Sequence, residues 1–455
     1  MRSAQLAKPL AGLCALLIGA VTQTAQAQYV PYGPFEVYPG TQLREGPGFK
    51  VLGDGLVIHP GISTELGYDS NMLMSSQAGG AGVLRLRAHV DLATRPPQRL
   101  DIDSRQFLKF RFGAAVEYRQ FFSRDARIGY PQQVNAQSDA DLRIKEGDPL
   151  SFRLYNQFLV TNDARNLEVA TTQTFAPRVF ERLSLLGMYR PFGGPLEIGL
   201  SESLRFDHYV QSELSRGRSF QNDVSLWGAY RVLPQTQVKL EVRSSWTSYY
   251  GDGAVIPNSA PLRITGGVQS LLWTWLGVSL YLGYGNSLHY GMAESPQLVG
   301  DLTAYRYNNF VGGLEARLLL VPRMNLRLGW ARDFFDSIYA TYLRDDRLYI
   351  SYEHNPWRSL WLTAGFETYL RAYGPLVAPS TLYYRAYKNG ATSRSDVLVS
   401  LNAEASYRPL SWLQAGLSYS LLTDITDFGF VDGAGTRMDA GFLKHVVLFK
   451  ADLSY

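Results

Sequence analysis

Cysteine is almost absent from this 455-residue chain, and the single one, Cys14, lies in the first apolar stretch. A chain with no other cysteine has no disulfide framework and no thiolate chemistry. No run of 18 apolar residues follows residue 27, which argues against a membrane-spanning helix. Charged residues make up only 18% of the chain, whereas disordered chains are usually richer in charge. The chain is therefore expected to fold without disulfides and without membrane helices.

A large excess of one charge is also missing. The chain has 44 basic and 40 acidic residues, so the expected partners do not include nucleic acid, whose binding proteins carry a clustered basic excess. The motifs of zinc proteases, phosphate-binding loops and serine hydrolases do not occur. No enzymatic activity, metal site or cofactor is therefore expected.

The first residues have the organisation of an export signal. Arg2 and Lys8 are the only charges before an apolar core from Leu10 to Val21, and Ala25–Ala27 offers small residues for cleavage. We predict a cleavable signal peptide over residues 1–27. Residues 28–54 are rich in glycine and proline without a sustained period, and are predicted to form a periplasmic arm or a loose plug.

From residue 55 onward the dominant pattern is strict alternation of apolar and polar residues. Leu108–Arg119 alternates over twelve residues, close to the 9–11 that a tilted membrane strand needs and longer than an ordinary strand. The pattern predicts about eighteen strands (16 to 18), which start near residues 56, 82, 106, 134, 150, 177, 195, 219, 236, 261, 276, 305, 324, 346, 359, 396, 411 and 442.

The connections between these segments alternate in length. Short turns are predicted at Gly147–Pro149, Pro191–Pro195, Leu233-Pro234, Thr274, Val321-Pro322, Asn355-Pro356 and Arg408-Pro409, with longer polar loops between them. Because each strand is apolar on one face, only a closed sheet in lipid satisfies its backbone. We therefore predict an all-β fold over residues 55–455. It is a transmembrane antiparallel up-and-down β-barrel in the outer membrane lipid of a Gram-negative-type cell, with short periplasmic turns and long extracellular loops.

The polar face of each strand would then line a wide lumen. Predicted lumen-lining residues are Arg85, Arg87, Lys109, Arg111, Glu117, Arg119, Asp141, Arg143, Arg153, Lys239, Glu241, Arg243, Arg317 and Arg327. Such charges set the selectivity of a pore or form cross-strand ion pairs that stiffen its wall, and the two roles are compatible. Basic residues on the second and third strands favour an anionic polymer or solute. Lumenal Tyr155, Trp227, Tyr281, Tyr349 and Tyr369 are candidates for stacking on sugar rings.

The segment Gly55–Asn71 resembles the first strand of the β-barrel porin 2 family. The resemblance rests on Pro60 within an apolar strand and on Gly67-Tyr68-Asp69-Ser70-Asn71 after it. It implies an outer-membrane pore that exports a secreted polysaccharide with a periplasmic polysaccharide-export protein as partner. Asp69 and Asn71 either bind a cation or open a loop.

Two other functions remain open from the sequence. One is a general or anion-leaning diffusion porin for small hydrophilic solutes, with a long loop folded into the lumen. The other is a structural or adhesion barrel with a plugged lumen.

Overall fold

The structure is a computed structural model of the full chain. It describes residues 48–51, 55–77, 79–94, 107–125, 132–162, 177–210, 217–250, 258–290, 306–337, 340–374, 385–387, 394–426, 428–431 and 437–455. The predicted signal peptide and all of the predicted arm before residue 48 lie outside the described residues.

Eighteen long strands build the molecule, numbered here β1 to β18 in chain order. They are β1 Leu56–Asp69, β2 Ala81–Thr94, β3 Leu108–Phe122, β4 Gln132–Ile144, β5 Leu150–Thr161, β6 Arg178–Tyr189, β7 Leu196–Tyr209, β8 Ser219–Leu233, β9 Thr236–Tyr249, β10 Leu262–Trp273, β11 Leu276–Asn286, β12 Asn308–Leu318, β13 Met324–Phe335, β14 Leu343–Trp357, β15 Leu360–Tyr373, β16 Ser395–Leu410, β17 Leu413–Thr426 and β18 Phe442–Ser454.

Each strand pairs with the next in antiparallel register, and the sheet closes on itself. The last strand pairs with the first from Gly61↔Ser454 to Asp69↔Val446. Helix is limited to one short turn, Pro191–Gly193, and no helix among the described residues is long and apolar enough to cross a membrane. The predicted all-β, closed antiparallel barrel of about eighteen strands is confirmed.

The alternation places apolar side chains on the outside of the barrel. Leu86, Val116, Val134, Leu200 and Phe449 are all between 42% and 65% exposed, although they lie within paired strands. Exposed apolar area on this scale is unusual for a protein that meets water on its outer face. The closed backbone pairing and the apolar exterior together are what a hydrocarbon environment requires of strands.

Short turns and long loops alternate as predicted from β3 onward, whereas residues 95–107 make the connection between β2 and β3 longer than the short turns. The short turns are residues 145–149, 190–195, 234–235, 274–275, 319–323, 358–359 and 411–412. Two predicted turns are wrong in position, because Pro356 lies inside β14 and Pro409 inside β16. Both prolines fall where the register shifts, between His354 and Trp357 and between Tyr407 and Leu410. Proline has no N–H for the ladder, so a strand accommodates it at such an irregularity.

The described end of the predicted arm forms part of the wall. Phe49–Val51 pairs with β1 in the register Phe49↔Ile58 to Val51↔Leu56, and the ring of Phe49 lies 4.6 Å from that of Tyr455. At the loop end, Asn258–Ser259 pairs with His289–Tyr290. A small sheet joins Arg385–Tyr387, Gly429–Val431 and Arg437–Asp439.

Candidate functional site: the barrel lumen

All fourteen predicted lumen-lining residues lie on the strand face opposite the exposed apolar side chains. Their register shows this directly, since Arg87 is opposite Glu117 and Lys109 is opposite Arg143, while Leu86 is opposite Tyr118 on the other face. In a closed barrel with an apolar exterior, this second face is the inner wall.

The structure brings six of the fourteen together on β3, β4 and β5. Asp141 is shared by two arginines, because Arg143 Nη2 and Arg153 Nε each lie 2.8 Å from a carboxylate oxygen. Arg119 forms an ion pair with Glu117. Lys109 Nζ lies 2.6 Å from Glu146 in the adjoining turn.

Four others have acidic partners on neighbouring strands. Arg111 Nη2 lies 3.1 Å from Asp91, Arg85 Nη1 3.0 Å from Glu65, Arg327 Nη2 3.2 Å from Glu353 and Arg243 Nη2 3.9 Å from Asp223. Cross-strand pairs of this kind stabilise a sheet. The predicted ion-pair ladder is therefore present along much of the wall.

The remaining four are held in different ways. Lys239 and Glu241 lie on the same strand and pair at 2.6 Å. Arg317 donates from Nε to the side-chain oxygen of Asn325 at 2.8 Å. Arg87 makes no ion pair with any residue in the described part of the chain.

The inner wall divides into two arcs of opposite charge balance. The basic arc is the inward face of β2 to β9, where basic residues outnumber acidic ones. The basic residues are Arg85, Arg87, Lys109, Arg111, Arg119, Arg143, Arg153, Arg178, Arg182, Arg205, Arg231, Lys239 and Arg243. The acidic residues are Asp91, Glu117, Asp139, Asp141, Glu197, Asp207, Asp223 and Glu241.

The acidic arc is the inward face of β10 to β18 and β1. There acidic residues outnumber basic ones. The acidic residues are Glu65, Asp69, Glu315, Asp333, Asp345, Glu353, Glu367, Asp396, Glu404, Asp424 and Asp452. The basic residues are Arg263, Arg317, Arg327, Arg347, Arg371, Arg408, Lys444 and Lys450. Because the two arcs face each other across the lumen, an electric field crosses the lumen.

A first inward segment, the mouth loop (residues 70–77, 79 and 80), packs against the wall by apolar contacts. Buried Met72 packs in one cluster with Val83, Phe121, Val446 and Leu448. Met74 reaches a second cluster on β16, β17 and β18. The motif that suggested a cation site belongs to this anchor, since Asp69 pairs with Lys444 Nζ at 2.7 Å and Asn71 Nδ2 donates to the Leu443 carbonyl at 3.0 Å.

A second inward segment, the mouth hairpin (residues 333–337 and 340–342), leaves the wall and crosses the inner face of β11. The β12–β13 ladder ends at Gly312↔Arg332, whereas the β13–β14 ladder continues to Phe335↔Leu343. The Phe334 ring lies over Gly285, where a side-chain carbon would be 2.5 Å from ring atom Cε1. A glycine at 285 therefore makes room for the hairpin.

Polar contacts fix the mouth hairpin to strands that are distant in the ladder. Arg263 on β10 holds Asp333 at 2.8 Å from Nε and donates from Nη2 to the Phe334 carbonyl at 2.5 Å. The Ser259 hydroxyl donates to Asp336 at 2.7 Å. Arg263 was not among the predicted lumen residues, and its contact with β13 was not predicted. The sequence carries a signal only for the inward direction of Arg263, which alternates with Leu262 and Ile264.

Aromatic faces on the inner wall are partly covered by cations. Arg347 lies over the rings of Tyr349 and Tyr369, at 4.6 and 5.8 Å from their centroids. Lys239 lies 5.1 Å from the Trp227 centroid. These contacts use the ring faces that a sugar would need for stacking.

At the turn end, Glu146 accepts hydrogen bonds from Lys109 and Arg143. Partial burial opposes ionisation of this carboxyl, but the two cations prevail and hold the pKa of Glu146 below its ordinary value. Among the described residues, no group of three or more histidine, cysteine, aspartate and glutamate side chains is placed to hold a metal ion.

No family model matches the chain, and no curated protein matches it in sequence. Among solved structures, it is similar to Acinetobacter baumannii OccAB4 at 9% identity and a TM-score of 0.44, over 91% of this chain and 100% of that one. It is similar to the outer membrane protein OpdK of Pseudomonas aeruginosa at 10% identity and 0.44, over 88% and 99%. It is also similar to the FrpB iron transporter of Neisseria meningitidis at 8% and 0.44, over 87% and 81%. This level of likeness fixes neither a family nor a solute, and the resemblance to the β-barrel porin 2 family gains no support.

Proposed function

We propose that the protein is an outer-membrane diffusion channel for small hydrophilic solutes, with a preference for anions. The observation that carries the proposal is the division of the inner wall into a basic and an acidic arc within a closed barrel of apolar exterior. Charges that face a lumen of this kind select solutes by their charge and orientation. The fourteen predicted lumen residues then belong to the transport path.

The mouth favours small solutes over a polymer. The mouth loop occupies the lumen beside β1 to β3 and β16 to β18, and the mouth hairpin occupies it beside β10 to β12. Each reduces the cross-section available at the loop end. The cations over Trp227, Tyr349 and Tyr369 also compete with sugar stacking. Polysaccharide export with a periplasmic partner is therefore the less favoured function.

Solute entry into liposomes tests the proposal directly. The purified full chain is reconstituted in vesicles, and swelling is followed with neutral sugars of increasing size and with small carboxylates. We expect rapid entry of small solutes, a steep fall with size, and faster entry of an anion than of a neutral solute of equal size. Vesicles without protein are the control.

Two results would contradict the proposal. One is an absence of swelling with every small solute while the protein keeps its heat-modifiable folded form. The other is entry that does not fall with solute size up to an oligosaccharide, because that would indicate an open polymer channel.

A further inference from the structure

Arg182 is a charged group of the lumen whose guanidinium has hydrogen-bond partners at one nitrogen only, among the residues that the structure describes. It lies on the inward face of β6, and its Nε donates to the hydroxyls of Ser184 and Ser203 at 3.2 and 3.1 Å. These hydroxyls are 2.9 Å apart and hydrogen-bond to each other. Neither terminal nitrogen of Arg182 has a hydrogen-bond acceptor in the described part of the chain, and no carboxylate there forms an ion pair with it. The guanidinium is held by one edge.

The neighbours of Arg182 add positive charge. Arg205 lies directly opposite in the ladder, and both Arg205 and Arg243 repel the Arg182 guanidinium. Asp223 is the one carboxylate that opposes them, at 3.8 Å from Arg205 Nη2 and 3.9 Å from Arg243 Nη2. Asp223 already accepts hydrogen bonds from Gln221 and Ser245. Arg205 and Arg243 therefore share one carboxylate, whose Oδ1 accepts both of these hydrogen bonds, and Arg182 adds a third guanidinium within its electrostatic reach.

Other inward arginines without an ion pair are balanced by acids. Arg87 acts on the carboxyl groups of Asp139 and Asp452. Arg317 has Glu315 and Glu353 within electrostatic reach. Arg182 has two cations and one carboxylate within electrostatic reach, so the wall beside it lacks negative charge.

We propose that Arg182 is an oxyanion-binding station in the channel. A carboxylate, sulfate or phosphate group of a small solute binds the two terminal nitrogens of Arg182, and Arg205 and Arg243 supply positive potential. The planar guanidinium matches the two oxygens of such a group. Ser184 and Ser203 position Arg182 without neutralising it. The station rests on the proposed function, because it assumes that solutes pass along this wall.

Sulfate is the probe for the test. Its affinity for the purified, folded full chain in detergent is measured by titration calorimetry, which does not depend on conduction. Arg182→Gln removes the charge, and Arg317→Gln is the matched control, because Arg317 is also inward, lacks an ion pair and contacts a side-chain oxygen. We expect Arg182→Gln to weaken sulfate binding about tenfold or more, as expected for loss of charge-assisted hydrogen bonds, and Arg317→Gln to weaken it by a clearly smaller factor.

A second variant keeps the test decisive if Arg182→Gln does not fold. Arg182→Lys retains the charge but not the two-nitrogen fork, so it should bind sulfate more weakly than wild type and more tightly than a neutral residue. Equal sulfate affinity in wild type and in either Arg182 variant, or an equal loss in both glutamine variants, would overturn the station.

The proposed function can fail separately. If vesicles exclude all small solutes while sulfate binding still depends on Arg182, the channel is wrong and the station stands. If solutes enter rapidly but sulfate does not bind in an Arg182-dependent way, the station is wrong and the channel stands.

Discussion

The two arcs of the inner wall differ in which sign of charge is shared by two partners. On the basic arc, two arginines share one carboxylate, as Arg143 and Arg153 share Asp141. On the acidic arc, two carboxylates share one cation, as Glu65 and Glu404 share Lys450 at 3.8 and 3.0 Å. In these two clusters the surplus charge lies beside a counter-charge that a second residue also uses. A wall with nearly equal numbers of acidic and basic residues can therefore still have electrostatic potentials of opposite sign on its two sides.

The largest expected effect comes from removing Arg394, which directly precedes β16 and is shared by two carboxylates of the acidic arc. Arg394 lies 2.7 Å from Asp396 and 3.6 Å from Asp424, and its side chain is only 3% exposed. Arg394→Met leaves two carboxylates without this partner, and breaking a buried ion pair costs about 3–5 kcal/mol. We expect a clearly lower melting temperature by circular dichroism. An unchanged melting temperature would mean that the acidic arc does not depend on shared cations.

The corresponding change on the basic arc should cost less. Asp223→Asn removes the shared carboxylate beside Arg205 and Arg243, and loss of hydrogen bonds to a charged group costs roughly 1.5–3 kcal/mol. Because it also adds to the positive surplus, we expect a stronger anion preference in planar bilayers together with the lower stability. A shift toward cations would contradict the division into arcs.

The mouth hairpin lies against strands of the acidic arc, and a glycine substitution tests its position without changing charge. Gly285→Ala places a carbon 2.5 Å from Phe334 Cε1 and 2.8 Å from Val311 Cγ1. Overpacking of this kind costs about 1–3 kcal/mol, so we expect the hairpin to loosen and the single-channel current to become noisier. Gly365→Ala is the matched control, because its added carbon meets no atom within 4 Å. Identical traces for the two variants would show that the hairpin does not lie against β11.

The smallest expected effect is at the turn end. Glu146→Gln removes partners of Lys109 and Arg143, but the Glu146 side chain is 37% exposed, and such pairs contribute only about 0.2–1 kcal/mol. Since the pKa of Glu146 is lowered in the folded protein, its contribution is present above the unfolded pKa and is lost as pH falls through the folded pKa. The stability difference between wild type and variant should therefore disappear in acid. A stability difference between wild type and Glu146→Gln that grows as the pH falls would contradict a stabilising role for the ionised Glu146 carboxylate.

Much of the wall could be predicted from alternation, since a period of two fixes which side of a closed sheet each residue faces. The partners could not be predicted, because they depend on the stagger of strands that are distant in sequence. Arg263 and Asp333 meet across strands that are not paired with each other. The mouth loop carried a signal that was missed, namely Met72, Leu73 and Met74 in a predicted polar loop. Apolar residues in this loop indicate inward packing. Their contacts with β16 to β18 could not be predicted, because those contacts depend on how the barrel closes.

The reversal potential of single channels in a potassium chloride gradient tests the central claim most directly. The account predicts discrete conductance with a reversal potential on the chloride side, which moves toward the potassium side in Arg182→Gln. A membrane that stays silent with folded protein inserted would contradict the channel. A wild-type reversal potential on the potassium side would contradict the assignment of the basic arc as the side that selects the solute.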